Sequence, residues 1–96
     1  MDWHECIRKR IVKDVKEDRN LIISVREIAA IKVKSADVLP RELSVGKITL
    51  LYDALREYLE CLALEKGFKI YNHECYAAFL REIGGFSREA EIFLII

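Results

Sequence analysis

Apolar side chains return every three or four residues from Ile48 through Leu51, Leu55 and Tyr58 to Leu62. That period is the period of an α-helix, so the stretch can present one continuous apolar side only as a helix. Leu59, Cys61 and Leu64 widen the stripe, which predicts a central helix covered on more than one side. Lys66-Gly67 ends it, with a cation and a glycine where the last carbonyls are open. Phe68 and Ile70 anchor the next loop, Asn72 supplies an N-cap, and Glu74 suits the first turn of a following helix. That helix is expected to bury Cys75, Tyr76, Phe79 and Leu80. The expected frame is an antiparallel helix pair within residues 48–82, reversing around Gly67, with the flanking segments packed on its seam.

Ahead of this frame, Asp2 and Glu5 make a capping-box pattern for a first helix over residues 3–36. Ile7, Ile11 and Val15, then Ile22, Val25, Ile28 and Ala29, keep helical spacing, and the β-branched run 21–25 is read as helix on that ground. The polar run 17–20 allows a bend or break. Pro40 ends this helix and opens the next, because the residue before a proline avoids the helical region. Gly84-Gly85 closes the third helix and Ser87 caps a fourth. The expectation is an all-α fold: an antiparallel four-helix bundle, two helices long (3–36, 41–66) and two short (73–83, 88–96), in one domain over residues 1–96.

A chain of 96 residues has a thin core, so burial against a partner is expected. Net charge is zero, which excludes a strong global field toward nucleic acid or membrane. Residues 1–36 carry nine Lys/Arg against six Asp/Glu, so the basic charge gathers at the front. Three cysteines without a CxxC spacing predict reduced thiols. The start MDWHECIRKR has no apolar leader run and no stretch reaches membrane-spanning length, so a cytoplasmic protein without membrane association is expected. The unbroken apolar run 93–96 reads as a core or dimer seam, or as a cut through a longer chain.

Three groups of residues carry a resemblance. They are Tyr52-Asp53-Ala54-Leu55-Arg56-Glu57-Tyr58-Leu59-Glu60, then Leu64-Glu65-Lys66-Gly67-Phe68-Lys69, then His73-Glu74 with Phe79-Leu80. Together they resemble the HEPN superfamily, small helical bundles often found beside minimal nucleotidyltransferases and in toxin–antitoxin systems. Residues 48–83 carry the match, and residues 1–36 match only in length and helical character. The resemblance implies a helical-bundle fold and an RNA- or nucleotide-related setting. Ribonucleases of that family use an Arg-x4–6-His motif, which this sequence lacks; the nearest imitation is Lys66 with His73. The resemblance thus implies a non-catalytic module, with a missing motif beyond Ile96 as the enzymatic alternative. A nucleotidyltransferase-like protein or RNA is the implied partner.

Candidate site residues are few. His73 has the chemistry of a base near neutral pH, against the plainer role of a hydrogen-bonded first-turn residue. Lys9, Lys13 and Lys16 would share one face of a first helix and suit RNA phosphates or an acidic partner, against the plainer role of a solvated face. His4-Glu5-Cys6 recurs as His73-Glu74-Cys75, but neither tripeptide alone can close on a metal, since helical positions two apart diverge. No cofactor loop, catalytic triad or metal-ligand spacing is recognisable. The helix lengths predict a homodimer, because the ends of two long helices overhang two short ones. The competing reading is a structural dimerisation or adaptor bundle with no nucleic-acid role.

Overall fold

The computed structural model describes residues 1–95, with side chains through Phe93. The elements in chain order are α1 (Trp3–Arg8), β1 (Val12–Asp14), α2 (Arg19–Val38), a 3-10 turn (Arg41–Leu43), α3 (Ser44–Glu65), β2 (Phe68–Ile70), α4 (His73–Glu82) and α5 (Ser87–Ile95). They form two compact units. Glu17–Glu65 is one, and Met1–Lys16 with the chain from Lys66 onward is the other.

The continuous unit is a helical hairpin. The polar run 17–20 starts α2: Asp18 caps it, its carboxylate accepting from the Leu21 amide at 3.1 Å. Leu39, forced into extended backbone ahead of Pro40, stops it. α3 then returns antiparallel. The Cys61 thiol donates to the Ile22 carbonyl, Lys32 pairs with Glu57 and Asp53, and Arg26 pairs with Glu65. α2 buries Ile22, Ala29 and Ala36, one residue in seven, and α3 buries Ala54, Cys61 and Leu64.

The discontinuous unit joins the two ends of the described chain. Asp2 caps α1 by accepting from the Glu5 amide, and the helix stops after six residues, shortly before Arg10 takes the left-handed backbone conformation at φ 60°. That turn releases the chain into β1, which pairs antiparallel with β2 in the register Val12–Ile70, Lys13–Lys69 and Asp14–Phe68. Val12 and Ile70 are buried on one face of the ribbon. Trp3 meets Phe68 edge-on at 5.1 Å and Phe79 at 5.8 Å, and its amide donates to the Glu82 carboxylate at 2.9 Å. Cys6 of α1 and Cys75 of α4 form a disulfide within this core. Asn72 caps α4 as expected, accepting from the Cys75 amide.

The chain is mainly helical, as expected, yet three expectations change. The helix read over 3–36 is interrupted by a turn and a strand, because Arg10 and the pairing of β1 with β2 satisfy the backbone of residues 9–15 in another way. The thiols expected to be reduced include two that are bonded, because the fold brings together cysteines 69 residues apart in sequence. The helix partners also differ: α3 packs on α2, and α4 packs on α5. The side chains of Leu94 and Ile95 and all of Ile96, which the sequence suggested for a core or dimer seam, lie outside the described residues.

Candidate functional site

Two surfaces stand out, one in each unit. In the hairpin, the stripe that dominates the sequence is not the face that α3 turns to α2. Ile48, Leu51, Leu55, Tyr58 and Leu62 are 67%, 46%, 38%, 38% and 42% exposed. They lie about 40° to 140° around the helix from Ala54 and Cys61, at the alternating three- and four-residue spacing of a helix–helix seam. α2 carries a second row of the same period: Leu21, Ser24, Ile28, Ile31, Ser35 and Val38. Its four large apolar members are exposed. Each helix of the hairpin thus keeps an uncovered apolar row besides the one it spends on its neighbour.

In the other unit the ribbon is basic on the face opposite Val12 and Ile70. Residues 8–16 and 66–71 hold seven Lys/Arg and a single acid, Asp14. Lys13 and Lys69 sit directly across the strands from each other. Tyr71 follows β2 on the same side by alternation and is 58% exposed. The Lys13 ammonium stands 5.5 Å from the centroid of its ring. The Tyr71 amide donates to the Ile11 carbonyl and the Val15 amide to the Gly67 carbonyl, so the pairing runs past both strand ends. The next positions in this register are Lys16 and Lys66.

The candidate residues therefore take separate places. Lys9 is the C-cap of α1 and pairs with Glu5, Lys13 is in β1, and Lys16 follows it as an exposed residue. The shared helical face expected of them does not form, because α1 ends at Arg8. His73 opens α4, stacks on Phe93 at 4.0 Å and donates from Nε2 to the Phe93 carbonyl at 2.6 Å. Tyr71 and Lys69 were not singled out for binding from the sequence. The signal that finds them is the strand register, which periodicity alone cannot supply.

The repeated His-Glu-Cys tripeptides do meet, but through sulfur, as the Cys6–Cys75 bond. Among the described residues no group of three or more His, Cys, Asp or Glu is placed to hold a metal ion. Burial pushes the Cys61 thiol above its ordinary pKa, so it is a protonated packing group at neutral pH rather than a nucleophile. No helix among the described residues is long and apolar enough to cross a membrane. No known family model, no curated protein and no solved structure matches the chain.

Proposed function

We propose that the chain is a non-catalytic, HEPN-like helical module that works as a homodimer in an RNA- or nucleotide-related complex. The observation that carries the dimer is the exposed row from Ile48 to Leu62 on α3. Contiguous apolar surface of this kind is uncommon on monomers and marks a place where another protein docks. Its three-and-four spacing matches a helix of equal period, and a second copy brings two such rows, one on α3 and one on α2. Two hairpins meeting on these rows would make an intermolecular four-helix bundle, different from the single-chain bundle expected from the sequence. The family half of the proposal rests on the motif residues: residues 52–60 fall within α3, residues 64–69 span its end and the start of β2, and His73-Glu74 opens α4. A toxin–antitoxin or nucleotidyltransferase-associated complex is the setting this resemblance suggests.

Sedimentation velocity tests the dimer. The purified chain is expected to sediment as a dimer, and Leu55→Glu, a change at a position exposed within the chain, is expected to make it a monomer of unchanged helicity. A wild-type protein that stays monomeric throughout the accessible concentration range would remove the proposal. The stripe also favours a second reading, a dimerisation or adaptor bundle without any nucleic-acid role. The two are separated by whether the dimer binds RNA.

A further inference from the structure

We propose that the β1–β2 ribbon binds single-stranded nucleic acid, its lysines holding phosphates and Tyr71 stacking on a base. This rests on the nucleic-acid half of the function proposed above and is independent of the dimer.

Charge is the first support. The chain as a whole is neutral, yet its 14 ribbon-and-turn positions, residues 9–16 and 66–71, hold six of its 16 Lys/Arg and one of its 16 Asp/Glu. Such a concentration attracts a polyanion locally where the net charge cannot. The register is the second support. Lys13 and Lys69 are direct cross-strand partners, so a phosphate lying across the ribbon can be reached from both strands.

The aromatic ring decides between polyanions. Tyr71 is largely exposed beside these lysines, with the Lys13 ammonium over its ring. A phosphate site needs no exposed ring, whereas a single strand presents phosphates and free base faces in alternation. A duplex hides those faces, and an anionic bilayer has none. Val12 and Ile70, buried behind the ribbon, anchor the strands that carry the three side chains, so the backbone needs no ordering on binding.

Fluorescence anisotropy of labelled oligouridylate and oligodeoxythymidylate, titrated with the full chain over a range of salt, tests the proposal. Wild type is expected to bind one or both, more weakly as salt rises. Lys13→Gln with Lys69→Gln is expected to lower the slope of log affinity against log salt by about 1.4, two contacts at about 0.7 each. Tyr71→Ala is expected to weaken binding at least about fivefold, and Tyr71→Phe to retain it. All are surface or half-buried positions, and circular dichroism checks that each variant folds. Oligonucleotide binding that these variants leave unchanged would overturn the ribbon while leaving a nucleic-acid role intact. Binding to no oligonucleotide would overturn both. Equal or tighter binding to a duplex, or to phosphatidylserine vesicles, would overturn the single-strand assignment.

Discussion

His73 holds Phe93 twice, by a ring stack at 4.0 Å and by a hydrogen bond from Nε2 to the Phe93 carbonyl at 2.6 Å. The first residue of α4 thereby fixes the last turn of α5. A donor engaged by a backbone carbonyl and a ring covered on one side give His73 a packing role. His73→Ala is expected to cost about 1–2 kcal/mol in urea denaturation, the size of one such bond and stack. Hydrogen exchange is expected to rise first within α5. Unchanged protection there would show that the helix is held by other contacts.

The Cys6–Cys75 bond ties the two ends of the discontinuous unit across 69 positions of chain. Closing a loop of that length in the unfolded state is worth about 4 kcal/mol by chain entropy, and about 2–4 kcal/mol in practice. Reduction, or Cys6→Ser with Cys75→Ser, is expected to lower stability by that amount. Alkylation of the denatured protein followed by mass spectrometry is expected to label Cys61 alone before reduction and all three cysteines after it. Three labels before reduction would show that the bond is not formed.

Two turns in the same unit differ in how well their residues suit them. Gly67 adopts φ 87°, and an added Cβ would meet only the Val15 carbonyl, at an ordinary 3.6 Å. The cost of Gly67→Ala is therefore conformational, about 1–2 kcal/mol. Arg10 takes φ 60° without being glycine. Arg10→Gly removes that strain, at some cost in unfolded-state entropy, and is expected to raise stability by up to about 1 kcal/mol. Opposite signs for these two substitutions in thermal melts are the check.

Alkaline pH is expected to loosen the α2–α3 hairpin. The hydrogen bond to Glu57 raises the pKa of Lys32 above its ordinary 10.5, against the opposing effect of partial desolvation. Burial raises that of Cys61 above 9.0. Both groups hold their proton more tightly when folded, so their contribution is complete below those ordinary values and is lost as pH climbs through the raised ones. The urea midpoint of the chain is expected to be flat around neutrality and to fall above about pH 9. A midpoint that rises there would contradict the assignment.

The sequence by itself determined where several of the helices lie. Its 3.6-residue period located α3, and Asp2, Asn72, Lys66-Gly67 and Pro40 marked ends that capping and backbone restriction enforce within a few residues. Only the tertiary structure decided which side of each element is used. Ile48, Leu55 and Leu62 read as core by hydropathy, but small Ala29, Ala36 and Ala54 let α2 and α3 meet on another face, which leaves the oily row uncovered. Periodicity reports that a helix has an apolar side and is silent on what lies against it. The ribbon and the disulfide escaped for a related reason. Residues 9–15 have no strand partner within reach in sequence, and the pairing of Lys13 with Lys69 and of Cys6 with Cys75 exists only once distant segments are folded together.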